Sequence, residues 1–188
     1  MLYDINNEKQ ILFLHIPKNA GTSITTWLDS KASRVLTGVS TGNSNFDHVS
    51  LDVLKNSAKD SVKSFTVIRN PWDRTVSGYF HMKDRFGGIV GTFDDFVKNL
   101  KDKNFSIGNP NIFQNQTDWI SSDVDHILRY ENLSNDFVVI QEYVGNNDPL
   151  PAEDDTAYSN YQEYYTEETQ QIVREICQSD IEKFNYAF

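Results

Sequence analysis

The sequence predicts an α/β fold: a three-layer, phosphate-loop-like domain with a mainly parallel central sheet flanked by helices. Three observations predict it. Short β-branched and aromatic runs alternate with helical segments, as in "ILFLH" before "TSITTWLDS" and "VKSFTVI" before "PWDRTVSGYFHMK". The first of these runs leads straight into the turn Pro17–Ser23, which opens a helix. The 188 residues, 38% hydrophobic and 13% aromatic, suffice for one core and are few for two. No repeat and no linker interrupts them, so one domain over residues 1–188 is expected.

Each element has a local reason. Ile11–His15 reads as a short buried strand and Thr22–Ser30 as a helix, with Arg34–Leu36 a second strand. Thr37–Asn45, "TGVSTGNSN", is a loop by composition. Ser50 is placed to cap "LDVLKNSA". Val62–Ile68 is a strand rich in β-branched and aromatic residues. Asn70-Pro71 starts a helix, with Asn as N-cap and Pro at the first helical position; it runs to about Lys83, and Gly87-Gly88 breaks it. Thr92 caps "FDDFVKNL", and Lys101–Asn115 is irregular. Val124–Tyr130 is a further strand, followed by a helix to Val144 and a polar loop over Gly145–Asp155. Thr166 caps one last helix that presents Ile172, Val173, Ile176 and Ile181 on one side.

The formal net charge is −10, which argues against a nucleic-acid or heparin-type surface, since those need clustered Lys and Arg. Any anion must be held by a local cluster. The lone cysteine, Cys177, cannot staple the fold and fits a reducing compartment, packed in a core. The N-terminus lacks a basic leader pattern and Ile11–Ile16 is too short to span a bilayer, so a soluble cytoplasmic protein without a transmembrane segment is expected. No metal is expected either, because no Cys/His cluster or H-E-x-x-H spacing occurs.

Ligands of such sheets bind beyond the carboxyl ends of strands, and two strand ends carry anion-binding chemistry. In Pro17-Lys18-Asn19-Ala20-Gly21-Thr22-Ser23 a helix begins with free amides and a favourable dipole. Gly21 allows close backbone approach, Thr22 and Ser23 offer hydroxyls, and Lys18 adds a point charge. The ATP-binding pattern G-x-x-x-x-G-K-[ST] fails here. Ile16 stands at its first Gly, Thr22 at its Lys, and the lysine lies three residues before Gly21. An ordinary strand–turn–helix with an exposed Lys is the plainer alternative. In "FTVIRNPWDRTVSGY", Arg69 ends a strand, and Arg74 and Ser77 share a helix face. Arg69 and Ser77 together offer a fork of donors and a hydroxyl to one phosphate. Pairing of both arginines with surface carboxylates is the alternative.

Together these segments carry a resemblance. "HIPKNAGTS" resembles the 5′-phosphosulfate loop of sulfotransferases that use 3′-phosphoadenosine 5′-phosphosulfate (PAPS). "FTVIRNPWDRTVSGY" is similar to their 3′-phosphate motif, an Arg followed eight residues later by a Ser. The carbohydrate-type branch, sulfotransferase family 2, is the nearest in look. "RYENL" (Arg129–Leu133) and the tail Tyr164–Phe188 resemble its bacterial members, so the likeness spans nearly the whole chain. The resemblance implies PAPS as sulfuryl donor without a metal. Lys18 would contact the bridging oxygen, Asn19, Ala20, Gly21, Thr22 and Ser23 would hold the 5′-phosphate, and Arg69 and Ser77 the 3′-phosphate, with Arg74 in structural support. Asn19 departs from the Thr or Ser common at its position.

The resemblance also implies a general base. His48 in "FDHVSLDVL" is the first choice, with Asp47 orienting it or serving instead; His15 is structural in the loop and the reserve candidate. His81 reads as a surface residue and His126 as satisfied in the core. The acceptor would be a hydroxyl of a glycan, a glycolipid or a small metabolite, because a chain of charge −10 repels a highly sulfated one. Phe105, Phe113, Trp119, Tyr158 and Tyr161 offer a sugar-stacking wall, with core packing the plainer role of each. Two other readings stay open: a phosphate-loop small-molecule kinase needing ATP and Mg²⁺, which the lysine placement opposes, and a non-catalytic nucleotide-phosphate binding module.

Overall fold

The computed structural model describes residues 1–36, 62–86, 91–101, 114–120, 124–152, 158 and 160–188. By internal packing the chain forms two compact units, residues 1–68 with 119–154 and residues 69–118 with 155–188. The described strands are β1 (Leu2–Ile5), β2 (Lys9–Leu14), β3 (Ser33–Leu36), β4 (Lys63–Ile68) and β5 (His126–Arg129). The described helices are α1 (Gly21–Asp29), α2 (Pro71–Phe86), α3 (Phe93–Lys101), α4 (Gln116–Trp119), α5 (Leu133–Asp136), α6 (Val138–Val144), α7 (Glu167–Ile176) and α8 (Gln178–Phe184).

The first unit holds all five strands in the order β3-β1-β2-β4-β5. β2, β4 and β5 are parallel, with Phe13 opposite Phe65 and Ile68 opposite Arg129, while β1 runs antiparallel to β2 and β3. β1 was not among the expected strands. It forms because Asn6 and Asn7 both adopt left-handed φ (54° and 61°) and Glu8 N–H donates to the Ile5 carbonyl at 3.2 Å, a hairpin turn whose twist suits the flanking strands.

The period of two in each strand sorts residues between faces. Tyr3, Ile5, Ile11, Phe13, Phe65, Val67 and Leu128 pack with Ile24, Trp27 and Leu28 of α1 and with Phe137, Ile140 and Val144. Leu2, Leu12, Leu14 and Ile16 point the other way and bury Trp119. On β4 that second face is polar but satisfied: Thr66 Oγ1 donates to the Leu14 carbonyl (2.8 Å) and Ser64 Oγ to Asp125 (2.7 Å). Trp119 is thus a core residue and not part of a sugar wall. His126 is only half-buried, because β5 lies at the edge of the described sheet, with β4 as its one neighbour there.

The second unit is helical, around Trp72, Val76, Tyr79, Met82, Phe93, Phe96, Val97, Leu100, Ile172, Val173 and Cys177. Its caps form as the sequence predicts. Asn70 Oδ1 accepts the Trp72 N–H (3.0 Å) ahead of α2, and Thr92 exchanges bonds with Asp95 at the start of α3. Thr166 and Thr169 do the same at α7. The expected single last helix is two helices. The chain leaves helical dihedrals at Cys177 (φ −102°, ψ 22°), which turns Asp180 and Phe184 of α8 inward and leaves Ile181 half-buried. Burial pushes the Cys177 thiol up to about 12.

Candidate functional site

The turn between β2 and α1 is built from backbone. Lys18 (φ 68°) and Ala20 (φ 60°) are left-handed, and Asn19 between them is not. Such alternation curls successive amides into a concavity that favours anions. Left-handed φ costs a non-glycine residue on the order of 1 kcal/mol, so two in three residues is strain of the kind found at functional sites. Ala20 is the N-cap residue of α1 and supplies no side-chain cap, and the dipole of a helix N-terminus favours an anion. Thr22 is exposed there, Ser23 buried and Lys18 half-buried.

Two residues fasten this turn. Asn19, 1% exposed, donates its Nδ2–H to the Val67 carbonyl at 2.7 Å, which ties the loop to β4. Its side chain therefore faces the sheet. Gly21 has a reason other than the one expected. A Cβ at this position would lie 1.6 Å from Nε2 of His15 and 2.1 Å from its Cδ2. The imidazole, stacked on Phe13 at 5.5 Å between centroids, occupies the space of the missing side chain. His15 and Gly21 are one interlocked pair, and Thr25 Oγ1 bonds the Gly21 carbonyl at 2.7 Å behind them.

The second predicted site, in the helical unit, is built from side chains. Arg69 is covalently next to the last residue of β4. Its Nε–H donates to Asp73 Oδ2 (2.7 Å) and its Nη2 to the Tyr158 hydroxyl (2.7 Å), which in turn donates to Asp73 Oδ1 (2.7 Å). Arg69 and Asp73 are 6% and 13% exposed at the side chain, so the arginine is paired with a carboxylate, but a half-buried one on α2 and not a surface one. Ser77, also buried, follows Asp73 by four residues and shares its helix face. The Arg69 backbone is gripped as well: its N–H reaches Gln116 Oε1 and its carbonyl accepts from Gln116 Nε2, both at 2.8 Å. Arg74 is buried and donates Nη1 to the Gln114 carbonyl at 2.8 Å. Burial pulls its guanidinium below the usual value, and the Asp180 charge opposes that pull.

His48 and Asp47 lie outside the described residues, as do Phe105 and Phe113. Of the aromatics named for a sugar wall, Tyr158 binds Arg69 and stacks on Phe80 at 5.6 Å, and Tyr161 takes a bond from Asn70 at 3.3 Å. His81 on α2 is half-buried. Sequence reasoning missed Asp73, Gln116 and Asp180. Asp73 was visible as an i,i+4 partner of Arg69; the other two had no local signal. Among the described residues no group of three His, Cys, Asp or Glu is placed to hold a metal ion, and no helix is long and apolar enough to cross a membrane.

No curated protein matches the chain. The solved structure of mouse sulfotransferase SULT7A1 complexed with 3′-phosphoadenosine 5′-phosphate (PAP) is similar at a TM-score of 0.60 and 13% identity, over 95% of this chain and 86% of that one, a likeness of fold. The model of the Sulfotransferase family, in its second branch, matches residues 1–187. A match over all but one of the 188 residues shows that this protein belongs to the sulfotransferase family.

Proposed function

We propose that this protein moves a sulfuryl group from PAPS to a hydroxyl of a carbohydrate or another small hydroxylated acceptor, the 188 residues acting as one catalytic domain. Family membership supports the sulfuryl transfer. The observation that carries the donor is the left-handed Lys18–Ala20 turn opening onto an α1 without a side-chain cap. That concavity suits a phosphate, and the misplacement of its lysine disfavours the ATP pattern.

When bound, PAPS supplies the sulfuryl group. The amides of Asn19, Ala20, Gly21, Thr22 and Ser23, with the hydroxyls of Thr22 and Ser23, hold the 5′-phosphate. Lys18 would supply a positive charge to offset the negative charge that develops on the departing phosphate. Arg69 and Ser77 take the 3′-phosphate. Asp73 and Tyr158 already fix the Arg69 fork, so little side-chain order is left to be imposed on binding. Arg74, committed to Gln114, supports the corner. His48 accepts the proton of the acceptor hydroxyl and Asp47 orients it; His15, wedged against Gly21, serves the loop and stands in reserve. The −10 charge favours a neutral or lightly charged glycan or glycolipid, and the single cysteine favours the cytoplasm.

Calorimetry tests the donor. PAP should bind without Mg²⁺ and more tightly than ATP, and Arg69→Ala should abolish that preference. Preference for ATP with Mg²⁺ would sink the proposal. The base is tested by turnover: His48→Ala should slow it on the order of 100-fold or more. Unchanged turnover in both His48→Ala and His15→Ala would remove histidine from the role.

A further inference from the structure

We propose that Gln116 and Asp180 form a positioning relay that fixes the backbone of Arg69 and so sets selectivity for a 3′-phosphate. The inference rests on the reading of Arg69 as the 3′-phosphate ligand. Gln116 and Asp180 are both 0% exposed and belong, like Arg69, to the helical unit. The amide of Gln116 meets both polar groups of Arg69, taking its N–H on Oε1 and giving Nε2–H to its carbonyl, each at 2.8 Å. It thereby offers Arg69 the donor and acceptor that a neighbouring strand would offer, one residue after β4 ends.

Asp180 decides which way that amide points. Its Oδ2 accepts from Gln116 Nε2 at 3.1 Å and from the Gln116 backbone N–H at 2.8 Å, and its Oδ1 accepts from the Thr117 N–H at 2.9 Å. A carboxylate takes only donors, so Nε2 must face Asp180 and the Arg69 carbonyl, and Oε1 is left for the Arg69 N–H. The Asp180 charge is met by these three N–H groups and by the buried Arg74 guanidinium. A fully buried carboxylate is an expensive way to join α4 to α8 where an apolar pair would do. What the polar pair adds is a unique setting of the peptide that carries Arg69.

The test compares PAP with adenosine 5′-monophosphate (AMP), which lacks the 3′-phosphate, by calorimetry on the full chain, with the melting temperature recorded for each variant. Gln116→Met and the isosteric Asp180→Asn should lower the PAP-over-AMP preference about tenfold or more, with AMP affinity unchanged within about twofold, since misplacement of a binding group by a fraction of an ångström is felt at that scale. The double variant Gln116→Met/Asp180→Leu removes both polar partners together, keeps the volume filled, and reads the same ratio if a single change prevents folding. A lower melting temperature with the wild-type PAP-over-AMP preference retained would reduce the pair to structural glue and overturn the relay alone. A wild type with no preference for PAP over AMP would overturn the reading of Arg69 itself.

Discussion

The Pro17–Ser23 turn and the Arg69 corner are both read as phosphate holders, yet one is made of backbone and the other of side chains. In the turn, the proposed donors are amides, and the side chains that matter are those that fasten the loop: Asn19 to Val67, His15 against Gly21. In the corner, Arg69 is the proposed binding group, and Asp73, Tyr158 and Gln116 hold its guanidinium and its peptide. The difference teaches where each site is brittle. A backbone site fails when its path is bent. A side-chain site fails when the fork is exchanged, even for a group of equal charge.

Arg69→Lys probes the contrast most strongly. The charge survives, but an ammonium cannot reproduce the planar fork to Asp73 and Tyr158. PAP affinity should fall on the order of 100-fold, and stability by about 2 kcal/mol as the half-buried Asp73 loses its fork partner. If calorimetry shows Lys serving as well as Arg, the corner is a point charge like Lys18 and the contrast breaks. Gly21→Ala comes next. Its Cβ drives into the His15 ring, and overpacking of this kind costs about 2 kcal/mol. PAP affinity should fall by about tenfold as the turn shifts, and a second change, His15→Ala, should restore at least half of the lost stability. No recovery in thermal melts would mean that Gly21 is needed by the ligand and not by the imidazole.

Asn19→Ala is smaller for binding. The backbone amide stays, so PAP affinity should drop only about fivefold. The buried Val67 carbonyl loses its donor, and denaturant unfolding should show a loss of about 1–2 kcal/mol. Cys177 should leave PAP binding unchanged and register only in stability against pH. Its thiol is held at about 12 in the fold against an ordinary 9.0, so between those values the unfolded chain releases a proton that the native chain keeps. Stability should therefore fall as pH rises through that window, by up to about 1.4 kcal/mol per pH unit, and Cys177→Ala should flatten the slope. An equal slope in wild type and variant would assign it to other groups.

Much of this architecture was legible in the chain. The strands now labelled β2, β4 and β5, the Asn70-Pro71 start of α2, and the Thr92 and Thr166 caps rest on local chemistry that acts wherever those residues occur. β1 is equally local, since Asn6-Asn7 favours the left-handed turn, but the run before it is only four residues long. The break at Cys177 carries no Gly or Pro to mark it. Gln116 and Asp180 are separated by 64 positions, and nothing in either neighbourhood names the other.

By itself, then, the sequence determined most of the elements and the two motifs read as anion-binding, because caps, turn propensities and a period of two act over a few residues. Only the tertiary structure decided why Gly21 must be glycine, that Asn19 faces β4, and that Arg69 bonds Asp73, Tyr158 and Gln116, with Gln116 bonded in turn to Asp180 of α8. Those are matters of which atoms fill one small volume or satisfy one buried donor. Such partners are chosen by packing across the fold, where distance along the chain has no say.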